Sequence, residues 1–166
     1  MNGTNEELNA FTRIFISQQL ENVVWLRERC YQVPVNVHDV SNRVSSALNK
    51  EPCAAGTFLG TRKKDRFKPS IALIDILSSK TDRHAVIDDH SAWLFLCGRD
   101  VFGKSISSCT VTRGPAIVLN KQQEVLGYGE IVWPITNKDN IAIKNKLDRG
   151  DFLRREMTKT KRKMQR

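Results

Sequence analysis

Apolar residues recur at helical spacing in two segments of residues 1–50. In the first they follow a capping box, Thr4 and Glu7, which predicts a helix from Thr4 to about Leu20. In the second, apolar positions at i, i+4, i+7 and i+8 predict a short helix that Asp39 or Ser41 would cap. The apolar positions of the two helices are Leu8, Phe11, Ile14 and Phe15, and then Val40, Val44, Ala47 and Leu48.

Strand signals follow each of these helices. Residues 22–37 (NVVWLRERCYQVPVNV) are rich in β-branched and aromatic side chains and include a proline, which predicts two short strands or one edge strand. From Gly56, the runs GTFLGT and FKPSIALIDIL lie on either side of the charged sequence RKKDR. This arrangement predicts a hairpin with an exposed basic loop.

The second half of the chain begins with a short strand, residues 85–87, and a compact helix. Asp88 or Asp89 would cap this helix, and Gly98 would end it. Two apolar strands, GPAIVLN and EVLGYGEIVW, follow and are joined by the polar sequence KQQ. The apolar and polar residues of GDFLRRE alternate well enough to predict one more strand. A domain boundary is expected near residues 80–85.

The charge of the chain points to its class of partner. Its 166 residues carry a formal net charge of +9, which makes polyanions the expected partners. Residues 144–166 contain ten Lys or Arg against three Asp or Glu, and residues 61–68 contain five against one. A basic run is often only a solvated surface, and for RKKDRFK that alternative stays open. No apolar run reaches the roughly 18 residues of a membrane span, so no membrane partner is expected.

Groups that would support catalysis are sparse. Residues 88–90 (DDH) could hold a metal or an acid and base, but acidic residues at a helix start more often cap free N–H groups. Residues 127–129 (GYG) lack the third glycine of a dinucleotide-binding loop. The four cysteines form no CxxC pair. No catalytic residue, metal or cofactor is therefore expected.

The basic C-terminal segment divides into two parts. Arg154 and Arg155 lie in the predicted strand, where Phe152 and Leu153 would fix them, and fixed guanidinium groups can form forked contacts with phosphate. The lysines that follow would act mainly by attraction at a distance. Few aromatic residues are available for stacking against bases, and each could equally belong to the core: Tyr128, Trp133 and Phe102.

The order of elements in the second half resembles that of a PUA domain, a small β-barrel-like RNA-binding module. The resemblance runs from about Ala85 to Glu156 through GRDVFGKSI, GPAIVLN, EVLGYGEIV and GDFLRRE. The chain as a whole resembles the Nip-seven family of large-subunit ribosome biogenesis factors, and GTFLGTRKKDRFKPSIALIDIL is similar to a strand, basic loop and strand of that family. The resemblance implies an α+β protein with an N-terminal α/β pre-PUA domain (1–82), a PUA-type β pseudo-barrel (83–157) and a basic flexible tail (158–166).

The resemblance further implies a monomeric RNA-binding adaptor without catalytic activity. Its PUA domain would bind single-stranded or irregular regions of rRNA during large ribosomal subunit assembly and pre-rRNA processing, while its N-terminal domain would contact other assembly proteins. The protein would be cytoplasmic in an archaeon and nucleolar in a eukaryote. The implied RNA-binding residues are Arg99, Lys104, Arg113, Arg154, Arg155, Lys159 and Lys161.

Two alternatives stay open at this point. PUA domains often accompany RNA-modifying enzymes, so the chain could be such an enzyme or its targeting subunit. The basic surface could instead bind acidic protein partners.

Overall fold

The computed structural model describes residues 3–50, 52–63, 66–152 and 154–155. The chain divides into two compact units, residues 1–80 and residues 81–166. The predicted boundary between residues 82 and 83 lies close to this division. Within the described residues, no helix combines the length and the apolar character that crossing a membrane requires.

The described residues of the N-terminal unit form three helices and four strands. The strands form one antiparallel sheet in the order β1-β2-β3-β4. In chain order the elements are α1 (Gly3–Thr12), β1 (Val23–Leu26), β2 (Arg29–Gln32), α2 (Val35–Leu48), β3 (Thr57–Lys63), β4 (Arg66–Pro69) and α3 (Ile71–Ser78).

Helices α1 and α3 cover parts of this sheet. The ring of Phe11 on α1 lies 5.9 Å from that of Phe67 on β4, measured between centroids. Leu73 and Leu77 on α3 are buried together with Leu59 on β3. Helix α2 differs, because its apolar side chains are exposed: Val35, Val37, Val40, Val44 and Leu48.

Three sequence predictions for this unit are wrong in detail. Helix α1 ends at Thr12 instead of near Leu20, because the chain turns there and the N–H groups of the next buried residues bond to Thr12 O. Helix α2 starts directly after Pro34, so Asp39 and Ser41 lie inside it and do not cap it. The run IALIDIL is helix α3, because the Ser70 hydroxyl accepts the N–H of Leu73 and caps a helix there.

The described residues of the C-terminal unit form a six-stranded sheet that curls into a half-barrel, together with helical segments. Its strand order is β6-β10-β9-β8-β5-β7, with β5 and β8 parallel and the other pairs antiparallel. In chain order the elements are β5 (His84–Ile87), α4 (Asp89–Leu96), β6 (Val101–Phe102), a 3-10 helix (Gly103–Ser105), β7 (Ile106–Cys109), β8 (Gly114–Leu119), β9 (Val125–Ile131) and β10 (Ile141–Asp148).

The core of this unit lies between α4 and the concave side of the sheet. Phe95 from α4 is fully buried there, together with Ile87, Val118 and Ile143 from three strands. The α+β class predicted from the sequence is confirmed, since helices and strands of this unit share one core.

The prediction that GDFLRRE forms a strand is wrong. Its described residues Asp151, Phe152, Arg154 and Arg155 have helical backbone. The last strand along the described chain is β10 instead, and its sequence IAIKNKLD was not recognised as a strand. Helical backbone suits this segment because Arg155 forms an ion pair with Asp151 at i,i+4 spacing.

Candidate nucleic-acid interface

A buried carboxylate connects the end of β10 to the end of α4. Asp148 is only 2% exposed, and its two oxygens accept hydrogen bonds from Gly150 N (2.9 Å), from the side-chain amide of Asn145 (3.2 Å) and from two nitrogens of Arg154 (2.9 and 2.7 Å). Asn145 also donates to Phe95 O at 2.8 Å, inside the last turn of α4. The four residues therefore fix the turn that follows α4.

Two glycines allow this close approach. Gly98 has φ +85° and lies against the Arg154 guanidinium, where an added Cβ would come within 3.2 Å of Cζ. Gly150 lies against Leu96 O, which a Cβ at residue 150 would overlap. The prediction that Gly98 ends the helix is correct, because a left-handed residue follows the last turn of α4.

Arg154 is positioned beside the turn, and its guanidinium is already used by the protein. Both of its terminal nitrogens bind Asp148, and Nη1 also donates to Leu96 O. The hydrogen bond to Asp148 raises the pKa of Arg154 above its ordinary value. A forked phosphate contact would have to displace a buried carboxylate, so the structure gives Arg154 a positioning role.

Arg155 is placed differently from its neighbour. Its side chain is 68% exposed, and its partner Asp151 is at 2.6 Å. Exposed pairs of this kind contribute only about 0.3–0.5 kcal/mol, so phosphate can replace the carboxylate at little cost. Of the two predicted arginines, Arg155 is the one suited to bind an anion.

The turn continues into the edge strand β6, which carries further cations. Arg99 is exposed just before the strand, and Lys104 is exposed just after it. Phe102, 44% exposed, lies between them in sequence, and Lys104 Nζ is 5.9 Å from the centroid of its ring. An exposed ring next to a cation suits single-stranded nucleic acid, because a base can stack on the ring while a phosphate contacts the cation. We call residues 99–104 together with Arg155 the β6 edge.

The loop between β9 and β10 supports the far end of this edge. Lys104 N donates to Lys138 O, and Gly103 N donates to Asn140 O, both at 3.0 Å. The side chains of Lys138 and Trp133 are exposed on this loop. Lys138 was missed in the sequence because it belongs to no recognisable motif. The sequence left undecided whether Trp133 belongs to the core or the surface, and the structure places it on the surface.

Arg113 lies elsewhere in the unit. It precedes β8, and its charge helps to lower the pKa of Glu130, after the larger effect of a hydrogen bond from Lys146. Lys144 pairs with Glu130 across β9 and β10. Arg113 therefore belongs to a mixed-charge group on the sheet. Lys159 and Lys161 lie outside the described residues, so their predicted role stays a prediction.

The DDH sequence at the start of α4 has a structural role. Asp88 accepts the N–H of Ser91 at 2.7 Å and caps the helix. Burial acts to raise the pKa of Asp88, but hydrogen bonds from Ser91 and Ser105 and the charge of His90 together outweigh it, so the pKa lies below its ordinary value. The part of the chain that the structure describes contains no group of three His, Cys, Asp or Glu that could hold a metal.

Comparison with known proteins identifies the class of the C-terminal unit. Residues 83–157 match the model of the UPF0113 PUA domain. A conserved PUA domain protein from Thermoplasma acidophilum has the same fold over 94% of this chain and 96% of its own, with TM-score 0.58 and 13% identity. The chain therefore has the α+β fold of PUA-domain proteins, and because PUA domains are RNA-binding modules, the match indicates RNA binding.

Two further structures are similar over part of the chain. A hypothetical protein from Pyrococcus horikoshii OT3 is 23% identical over 55% of this chain and 62% of its own, with TM-score 0.45. A PUA domain from Aeropyrum pernix K1, solved with tartrate, is 14% identical over 54% of this chain and 55% of its own, with TM-score 0.46. The chain thus spans less than two thirds of either. No curated protein matches the sequence.

Proposed function

We propose that this protein is a non-catalytic RNA-binding factor of large ribosomal subunit assembly, which docks on rRNA through its PUA domain. The observation that carries the proposal is the β6 edge, where Arg99, Lys104 and Arg155 are exposed and Lys104 lies beside the exposed ring of Phe102. Phosphates would bind the cations, and an unstacked base would lie against the ring. Such contacts read few base edges, so modest sequence preference is expected.

The wider assembly role rests on the family resemblance in the sequence. In this assembly role, the N-terminal unit would contact other assembly proteins, while the PUA domain would hold rRNA during pre-rRNA processing. Helix α2 supports this part, because its exposed residues Val40, Val44 and Leu48 form an apolar surface of the kind that other proteins cover. The protein would act as a monomer, in the cytoplasm of an archaeon or in the nucleolus of a eukaryote.

Salt dependence tests the RNA contact directly. If the PUA domain engages roughly four phosphates of a short single-stranded RNA, affinity should fall by roughly fiftyfold between 50 and 200 mM salt, since each contact contributes a slope of about −0.7. Fluorescence anisotropy with the full chain and a labelled oligonucleotide measures this slope. A flat response would contradict phosphate binding.

The non-catalytic part of the proposal has a separate test. The full chain is incubated with RNA and the common methyl and nucleotide donors, and the RNA is then digested and examined by mass spectrometry. We expect unmodified nucleosides. A new modified nucleoside would support the alternative that the chain is an RNA-modifying enzyme.

A further inference from the structure

The register of the N-terminal sheet brings four cations onto one face. Arg29 pairs with Thr61 and Thr61 pairs with Lys68, so these residues lie side by side across β2, β3 and β4. Lys63 pairs with Arg66 at the end of the same hairpin. Because residues two apart on a strand share a face, all four cations lie on the same side. We call this side the basic sheet face.

Helix α1 packs on the opposite side of the sheet. Phe67 lies between Arg66 and Lys68 on β4 and therefore points away from the basic sheet face. Its ring contacts Phe11 of α1 and Trp25 of β1, with centroids 5.9 and 6.2 Å apart. The four cations, in contrast, are exposed to solvent.

The cations of the basic sheet face are not neutralised by the described part of the chain. No carboxylate of that part forms an ion pair with them, whereas in the C-terminal unit Lys146 pairs with Glu130 and Arg154 with Asp148. Lys63 and Arg66 are directly opposite each other, and like charges in that position repel. A bound polyanion would relieve this repulsion.

A cleft adjoins the basic sheet face where the turn between β1 and β2 meets β3. Its volume is about 600 Å³. Four of the residues that line it are basic and one is acidic, so its field favours anions: Arg27, Arg29, Arg62 and Lys63 against Glu28. Cys53, which is exposed, also lines this cleft.

An aromatic ring on the same face indicates which polyanion binds. Phe58 pairs with Tyr31, two residues from Arg29, and so lies on the basic sheet face. Its side chain is 38% exposed, and its ring is supported by Tyr31 at 5.5 Å between centroids. Cations beside an exposed, supported ring match the phosphates and bases of a single strand, whereas an acidic peptide needs only the cations.

We propose that the basic sheet face of the N-terminal unit is a second binding site for single-stranded RNA. Arg29, Lys63, Arg66 and Lys68 would bind phosphates, and Phe58 would stack against a base. The inference goes beyond the proposed function, which places RNA on the PUA domain, and it rests on that function only in taking RNA as the ligand.

The chain carries natural thiols that can report on the two sites separately. Cys53 lines the cleft of the N-terminal unit, and Cys97 is exposed at the turn after α4. Cys30 is buried, which raises the pKa of its thiol to about 12 and keeps it unreactive at neutral pH. Replacing Cys109 and one exposed cysteine by Ser leaves a single reactive thiol for a photocrosslinker.

The experiment irradiates each single-thiol full chain with a labelled single-stranded RNA. We expect crosslinks from Cys53 as well as from Cys97. Crosslinks from Cys97 without any from Cys53 would overturn the second site and leave the proposed function intact. If neither thiol yields a crosslink, both proposals fail.

Charge variants show whether the basic sheet face is responsible. Arg29→Gln, Lys63→Gln and Lys68→Gln together should reduce Cys53 crosslinking at least tenfold and leave Cys97 crosslinking unchanged. The matched control removes three exposed cations from elsewhere in the same unit, Arg13→Gln, Arg43→Gln and Lys80→Gln. An equal loss in the control would overturn the assignment, because binding would then follow net charge alone.

A test of the stacking contact distinguishes RNA from acidic peptides as the ligand of the basic sheet face. Phe58→Ala should lower Cys53 crosslinking to RNA by about tenfold, within the range of one lost base stack. Polyglutamate should compete weakly for Cys53 at concentrations where unlabelled RNA competes fully. Equal competition by polyglutamate would overturn RNA as the ligand of this face.

Discussion

Asp148→Ala is expected to destabilise the C-terminal unit by about 3 kcal/mol. The carboxylate is buried and accepts hydrogen bonds from Asn145, Gly150 and Arg154, all of which would lose a partner at once. Loss of the carboxylate also removes the hydrogen bonds that fix the turn after α4. Urea unfolding, together with amide hydrogen exchange in β8, β9 and β10, measures the change.

The control for this prediction is Glu130→Ala in the same sheet. Glu130 also pairs with a cation, Lys146 at 2.8 Å, but both side chains are about 40% exposed. Its removal should cost less than about 1 kcal/mol. Similar losses for the two variants would show that burial of Asp148 does not organise this part of the fold.

The triple variant Arg99→Gln, Lys104→Gln and Arg155→Gln should weaken binding to a short single-stranded RNA by roughly 500-fold at 50 mM salt and by roughly 30-fold at 200 mM salt. Each substitution removes one phosphate contact of the β6 edge. All three side chains are exposed, so the fold should be unaffected. Anisotropy titrations at both salt concentrations give the two ratios, in chains that also carry the three Gln substitutions of the basic sheet face, so that only the PUA domain binds RNA. Arg154 is left in place because its loss would disturb Asp148.

A second triple variant has the same net charge as the first but leaves the β6 edge unchanged. Lys121→Gln, Lys144→Gln and Lys146→Gln remove three exposed cations from other parts of the unit. Apart from a general weakening that salt screens, the logarithm of the RNA affinity should fall in this control by less than about a tenth of its fall in the first triple variant. If both triple variants bind equally weakly, the β6 edge is not the binding surface.

Local signals in the sequence were sufficient for much of the fold. The cap at Asp88, the helix end at Gly98 and the strands of GPAIVLN and EVLGYGEIVW all depend on residues close together in the chain. The run IALIDIL carries no such unambiguous signal, because a short apolar run suits a strand or a buried helix. There the Ser70 cap decided the outcome.

The candidate site was harder to predict because its geometry depends on distant partners. The family resemblance grouped Arg154 with Arg99 and Lys104, and in the structure its guanidinium lies beside the turn after α4. That its guanidinium is held by Asp148 could not be predicted, because β10 was not recognised and a buried Asp contradicts the usual pattern of strand residues. Of the two arginines, Arg155 is the more exposed, and its ion pair with Asp151 is the weaker one.

The pairing of β6 with β10 also bears on when the protein becomes able to bind. Val101 and Phe102 are hydrogen-bonded to a strand about forty residues further along, Ile141–Asp148. Domains are synthesised from the N-terminus, and contacts between remote segments form late. On the ribosome, a nascent chain that has exposed Arg99 and Lys104 still lacks the strand that orients them, so the β6 edge becomes competent for RNA only once translation has passed residue 155.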